Sequence, residues 1–348
     1  MPELPEVEVV RAGLAPAITG ARVVAVEVVD PRALKRHLPL GGADATGVGR
    51  HGVSLDAESG ALRAADFERR LTGAVLGAPA RRGKFLWVPL SGGQATQIQD
   101  VANRSAPAPA AVKPVTDPQV PREALLAHLG MSGQLLLRAH EAENDRHVRI
   151  HLWISHPTHG ELRVDFADQR LFGSLAIDEL VPTPDGKPGG VGTDLAAIPG
   201  QAAHIARDPL DPAFDDAAFV QGLRARRSAV KVALLDQALV SGIGNIYADE
   251  SLWRARVHPE TPAFRLGLRK ARELLGRIRE VFAQALAEGG TSFDAQYVNV
   301  NGQAGYFSHS LNAYGRTGAP CPRCGTPIRK ITLAGRSSHF CPRCQKRR

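Results

Sequence analysis

Met1-Pro2-Glu3-Leu4-Pro5-Glu6-Val7-Glu8 begins the chain. Leu4, Val7 and Val10 recur at helical spacing, which predicts an amphipathic helix whose apolar face packs against a larger body. Its polar residues admit two readings. Proline is favoured at a helix start and acids in the first turn, where the macrodipole attracts them. Alternatively, removal of Met1, which a residue as small as Pro2 permits, exposes a secondary amine. An unperturbed α-amino group has a pKa of roughly 8, against about 10.4 for lysine, so much of it is neutral near pH 7. Such an amine condenses with an aldehyde-level carbon such as a sugar C1′, and the resulting iminium is an electron sink for eliminations. Glu3 and Glu6 are then candidate general acids or bases beside it.

The 348 residues suggest two or three domains with sizeable cores. No apolar run approaches about 18 residues, and the N-terminus lacks a basic segment leading into an apolar one, so a soluble, cytoplasmic protein is expected. The formal net charge is +8, and its placement matters more than its size. After Asp294 no acid occurs, while nine basic residues follow, from Arg316 to Arg348. A one-signed tail of this kind points to a polyanionic partner, usually nucleic acid, although on charge alone a solvated basic tail is the better account.

Ala21–Val29 and Lys84–Val88 read as strands from their branched and aromatic content. So do 124–129 and 134–138, and 147–154 alternates Val148, Ile150, Leu152 and Ile154 with mostly polar partners before pairing with 161–166. Strands joined by short connections without helices predict an antiparallel β-sandwich. Residues 39–62, rich in Gly, Ala and Asp, read as an irregular loop; 91–122, rich in Ala, Pro and Gln, as a disordered insertion; and 182–200 as a Pro/Gly linker. Beyond it the period becomes helical at 214–223, 229–237, 246–257 and 265–287.

The last segment is too short for its own core and needs a staple. Cys321, Cys324, Cys341 and Cys344 are the only cysteines and form C-x2-C-x16-C-x2-C. That spacing favours a four-thiolate structural zinc site over redox or disulfide pairs. Arg336 falls near the tip of the intervening ribbon, as a phosphate-contacting or catalytic group or as a solvated hairpin arginine. Ser241-Gly242-Ile243-Gly244-Asn245-Ile246-Tyr247 leads glycines into a helix start, a turn or a phosphate cradle; Arg224, Arg226, Arg227 and Lys231 nearby favour the cradle. Met131 in HLGMSGQ and Arg170 and Phe172 in DQRLFG fit core packing one by one. As a set, an apolar wedge, an arginine and an aromatic suit the gap left in a duplex by an extruded base.

Taken together, PELPEVE, RRGKFLW, HLGMSGQ, SGIGNIYADE, GGTSF with GYF, YGR and the four cysteines resemble the formamidopyrimidine-DNA glycosylase family over nearly the whole chain. The resemblance is to its purine branch more than to endonuclease VIII, which shares the terminus and the ribbon. It implies a bifunctional DNA glycosylase and AP lyase of base-excision repair that removes oxidised purines such as 8-oxoguanine and formamidopyrimidines from double-stranded DNA. The alternatives are an oxidised-pyrimidine enzyme and a silent damaged-DNA-binding protein. By the same resemblance Pro2 is the Schiff-base nucleophile and Glu3 its acid–base partner. Glu6 supports them, Lys84 assists β-elimination, and Arg336 is linked to δ-elimination and DNA binding. Met131 and Phe172 fill the void, Arg170 hydrogen-bonds the orphaned cytosine, and Asn245 and Arg226 hold flanking phosphates. Thr291–Tyr306 covers the flipped base, and one structural zinc sits on the four cysteines.

The implied fold class is multidomain α+β. A catalytic β-sandwich with its leading helix spans 1–180, a linker 181–210, and a helix-two-turn-helix module 211–290. A lesion-capping loop and connection follow at 291–315, then a zinc ribbon at 316–348, in a monomer. Gln169 and Leu171 stand where the family usually has Pro and Arg, and Asp145 where a histidine is common.

Overall fold

A computed structural model of the chain describes residues 2–40, 55–92, 121–291, 300 and 305–347. Residues 93–120 of the insertion expected at 91–122, and most of the Thr291–Tyr306 stretch, lie outside these residues, while Ser91 ends a strand and the Arg122 carbonyl accepts the Leu180 N–H at 2.8 Å. Helix α1 spans Leu4–Ile18, and β1 (Arg22–Val28) and α2 (Ala57–Leu71) follow. Then come β2 (Val75–Leu76), β3 (Ala80–Arg82), β4 (Phe85–Ser91), β5 (Glu123–His128) and β6 (Gly133–Ala139). The set closes with β7 (Val148–His156), β8 (Gly160–Asp168), β9 (Ser174–Pro182) and β10 (Ala197–Pro199).

Every pairing among these strands is antiparallel. Their order is β10-β9-β5-β4-β2-β1-β7-β8-β6, with β3 hairpinned onto β4. Leu86, Val88 and Leu125 from one half of this order meet Ile150, Leu152 and Val164 from the other in a single core. The sheet is therefore folded over as a sandwich, as the alternation along 147–154 requires. Val7, Val10 and Leu14 of α1 and Phe67 and Leu71 of α2 complete that core.

Two segments differ from expectation. Part of the supposed loop at 39–62 is the first half of α2, started by Asp56, whose carboxylate accepts the Ser59 N–H at 2.7 Å. The helix escaped notice because its buried face includes Gly60, Arg63 and Asp66 beside Phe67 and Leu71, a stripe that is helical in spacing but not apolar. The supposed linker is also packed. Its residues 197–199 form β10 against β9, and Val191 bridges Arg81. Gly190 is there for space rather than flexibility, since a Cβ on it would lie 2.2 Å from the Arg81 carbonyl oxygen.

The helical part comprises α3 (Asp216–Ala225), α4 (Val230–Leu234), α5 (Asn245–Ala255) and α6 (Leu268–Ala287). Its core gathers Leu223, Val230, Ile243, Tyr247, Leu274, Ile278 and Phe282, and it includes Leu4. Helix α1 thus inserts its first turn into the helical core and its next turns into the sandwich. A buried ion cluster fixes the same junction. Arg81, without exposure, reaches Glu8 of α1 and Asp208 of the connection, each at 2.8 Å, and Asp208 also accepts the Gly83 N–H at 3.0 Å. Arg81→Met should strand the buried Asp208 carboxylate, while Glu8 keeps Arg11 at 2.7 Å, and cost about 3–5 kcal/mol, read as a lower denaturant midpoint. A loss below about 1 kcal/mol would mean that water replaces the arginine freely.

The chain ends in the hairpin β11 (Arg329–Leu333) and β12 (Arg336–Phe340), which pair from Arg329 with Phe340 to Leu333 with Arg336.

Candidate active site and nucleic-acid interface

Helix α5 organises the site. Its first-turn N–H groups lack helical partners and attract an anion, and the anion they meet is the Glu3 carboxylate. Glu3 Oε2 accepts from Gly244 at 2.6 Å and Tyr247 at 3.4 Å, and Oε1 from Ile246 at 3.0 Å. This corrects the phosphate-cradle reading of the glycine turn: its backbone donors hold the N-terminus of the chain itself. The glycines give the room, because a Cβ on Gly244 would fall 2.2 Å from Glu3 Cδ and one on Gly242 2.6 Å from Leu4 Cδ1. Lys231 is corrected as well. It is buried and bound to Asp249 at 2.6 Å, not presented to a phosphate.

Glu6 lies one turn on. It accepts the Glu3 N–H at 2.8 Å, the Tyr247 hydroxyl at 2.5 Å and the Thr291 N–H at 2.8 Å. Burial pushes Glu3 up to about 7, with Glu6 acting in the same direction and Lys84 and the α5 N–H groups opposing. Burial likewise lowers the Lys84 ammonium, against the pull of Glu3 and with Arg336 adding to the decrease. Lys84 Nζ donates to the Ile243 carbonyl at 3.2 Å.

Pro2, Lys84 and Arg336 line one cavity of about 480 Å³, together with Arg36, His128 and Asp236. Three candidates that are distant in sequence therefore converge. Arg336 reaches the cavity because α5 also holds the ribbon: Asp249 accepts from Ser338 Oγ at 3.1 Å and the His339 N–H at 2.8 Å. Glu250, wholly buried, accepts the backbone N–H groups of Asn312, Ala313 and Tyr314.

Met131, Arg170 and Phe172 occupy two touching loops. Met131 is 48 % and Phe172 51 % exposed, so core packing does not account for either. Buried Asp168 fixes both loops, accepting the Ser132 hydroxyl and the N–H groups of Arg170, Leu171 and Gly173. Leu171 adopts φ 54°, a left-handed backbone that costs a branched side chain energy. Arg226 pairs with Asp236 at 2.8 Å, and the Asn245 amide donates to Ser337 Oγ at 3.4 Å.

The ligand atoms of Cys321, Cys324, Cys341 and Cys344 all lie within 4.8 Å of one another. Zn–S bonds of about 2.3 Å in a tetrahedron require S···S edges of roughly 3.8 Å, so the four thiolates fit one zinc ion. Four protein ligands close the coordination sphere, which makes the ion structural.

Family profiles cover most of the chain. The formamidopyrimidine-DNA glycosylase N-terminal domain matches residues 1–61 and 51–175, and the H2TH domain of that glycosylase matches 205–296. The zinc finger found in FPG and IleRS matches 318–347. A formamidopyrimidine-DNA glycosylase of Leifsonia xyli subsp. xyli is 55 % identical over 346 residues, 99 % of this chain and 100 % of the relative. One from Streptomyces avermitilis is 47 % identical over 346 residues, covering 99 % and 98 %. The chain belongs to the formamidopyrimidine-DNA glycosylase family.

Among solved structures, the Lactococcus lactis Fpg with abasic-site DNA superposes with a TM-score of 0.68 at 27 % identity, over 99 % of this chain and 100 % of that one. MutM with DNA containing carbocyclic 8-oxo-G gives 0.69 at 27 % identity and the same coverage. As a member of the formamidopyrimidine-DNA glycosylase family, the protein is a DNA-repair glycosylase that binds DNA and carries one structural zinc.

Sequence reading missed Tyr247, which touches Glu3 through its N–H and Glu6 through its hydroxyl. It also missed Asp249 and Glu250. Their signal was two adjacent acids flanked by Ile246, Tyr247, Ala248, Leu252 and Trp253, a pattern that requires buried partners. The glycine contact is testable. Gly244 has φ −123° and ψ −161°, a conformation alanine accepts, so Gly244→Ala acts through its Cβ alone. It should displace the Glu3 carboxylate and lower single-turnover base excision by about 10²-fold with DNA affinity kept. An unchanged rate would show that Glu3 works from another position.

Proposed function

We propose that the protein is a bifunctional glycosylase and AP lyase acting on oxidised purines, 8-oxoguanine and formamidopyrimidines, through Pro2. The observation that carries this reading is the shared cavity of Pro2, Lys84 and Arg336, with the Glu3 carboxyl at the head of the adjoining helix. Once Met1 is removed, the Pro2 nitrogen attacks C1′, and the base leaves with the electron pair of the N-glycosidic bond and takes up the proton that the Pro2 nitrogen sheds. Glu3, titrating near 7, gives its proton to the ring oxygen as the sugar opens to the iminium. Loss of a C2′ proton expels the 3′ phosphate, loss of the C4′ proton then expels the 5′ phosphate, and water releases Pro2.

Lys84 assists the first elimination and Arg336 the second, while Glu6 orders Glu3. Met131 and Phe172 fill the gap in the stack, with Arg170 on the orphaned cytosine. Asn245 and Arg226 hold flanking phosphates, for which Arg226 exchanges Asp236. The protein works as a cytoplasmic, nucleoid-associated monomer.

A duplex with 8-oxoguanine opposite cytosine, compared with an oxidised pyrimidine and with undamaged DNA, tests the reading. The purine substrate should be cut to a one-nucleotide gap with phosphate on both ends. Faster cutting of the pyrimidine, or base release without a nick, would contradict it.

A further inference from the structure

We propose that duplex DNA extends from the catalytic cavity onto a second basic face, built by the end of α3, the 264–267 turn and the start of α6. The stretches 217–231 and 261–272 contain no acid at all. Arg224, Arg227, Arg265, Arg269 and Arg272 of this face are all exposed. Further along α6 the half-buried arginines are matched with carboxylates, Arg277 with Glu280 at 2.8 Å and Arg279 with Asp216 at 2.5 Å. Arg227, Arg265, Arg269 and Arg272 have no ion pair among the described residues, and the nearby Glu273 is taken by Lys270 at 2.9 Å.

Apolar groups stand among these cations. Phe264 is 48 % and Leu268 44 % exposed, and the Arg265 guanidinium lies 5.9 Å from the Phe264 ring centre. Val220, Arg224, Leu268 and Arg272 border a shallow groove of about 360 Å³. Cationic groups interleaved with apolar surface match a phosphate–deoxyribose backbone, whose charges are regularly spaced and whose sugar faces are apolar.

The face is continuous with the cavity. Asp236 lines the cavity and binds Arg226, and the Arg226 carbonyl accepts the Phe264 N–H at 3.0 Å. A duplex leaving the cavity past Arg226 meets Phe264 and Arg265 next. This inference uses the DNA reading of the cavity only for where the duplex begins, and its test needs no chemistry.

The experiment compares wild type with R265A/R269A/R272A on two undamaged duplexes, one confined to the cleft and one longer by about a helical turn on each side. Affinity is measured across a salt series. On the long duplex the variant should bind about tenfold more weakly near 0.1 M salt, with the log–log salt slope reduced by roughly 2–3. On the short duplex the two proteins should agree. A circular dichroism melt matching wild type confirms that the variant is folded; if the triple variant melts early, the three single substitutions, each lowering the slope by roughly 0.9, carry the same test. Equal slopes on the long duplex, or equal losses on both duplexes, would overturn the proposal. Failure of base excision in wild type would count against the proposed function and leave this comparison intact.

Discussion

Glu3→Gln should lower single-turnover base excision by about 10²–10⁴-fold while leaving duplex affinity nearly unchanged, because the substitution removes a transferable proton and little else. The side chain is buried, so it contributes no surface to DNA. Glutamine keeps the size but offers one acceptor oxygen to the N–H groups of Gly244, Ile246 and Tyr247, and a donor left unmatched costs about 1–3 kcal/mol in stability. The pH profile separates that cost from chemistry. With Glu3 held up at about 7 and an α-amino group near 8, wild type should show a bell-shaped profile whose apparent values belong to the pair. In the proposed mechanism Glu3 acts protonated and the amine neutral, so loss of the Glu3 proton forms the alkaline flank. In Glu3→Gln that flank should vanish, leaving a low rate that rises to a plateau. Excision above about a tenth of the wild-type rate would remove Glu3 from the acid–base role.

Removal of the zinc should have the second large effect. Structural zinc sites of this kind contribute roughly 10–16 kcal/mol of apparent folding free energy near neutral pH, and the contacts of the ribbon with α5 depend on its being folded. Its small core holds Trp253, Ala313, Ile328 and the cysteines, with Arg323 stacked 3.7 Å from the Trp253 ring centre. Melting the ribbon withdraws Arg336 from the cavity and leaves Lys231 and Asp249 without Ser337, Ser338 and His339. Cys341→Ala, or treatment with a strong chelator, should therefore reduce DNA binding and strand cleavage at least about 10²-fold. The sandwich should keep its own melting transition, since none of its core residues belongs to the ribbon. Returning zinc should restore the chelated protein and not the variant. Full DNA binding with no zinc by elemental analysis would show that the ribbon folds without the ion.

Much of this architecture was legible in the chain because its signals are local. The alternation of Ile150, Leu152 and Ile154 reported a strand with one face on the main core, and the cysteine spacing reported a metal site. What escaped depended on partners remote in sequence. Ser241–Tyr247 looks like an anion site and is one, but its anion is Glu3, some 240 residues earlier. No local pattern could distinguish that carboxylate from a phosphate. The first half of α2 was hidden because Arg63 and Asp66 occupy its buried face, where they answer His37 and Arg70 instead of an apolar neighbour. Gly189 and Gly190 suggested flexibility, yet they permit close packing against Ala197 and Arg81.

The proposed chemistry turns on the nitrogen of Pro2. Borohydride added during reaction with a duplex carrying 8-oxoguanine opposite cytosine should reduce the iminium to a stable protein–DNA adduct. Digestion and mass mapping should then place the nucleotide remnant on an N-terminal peptide that begins at Pro2. An adduct on Lys84 or any other lysine, or a fully active protein that retains Met1, would contradict it.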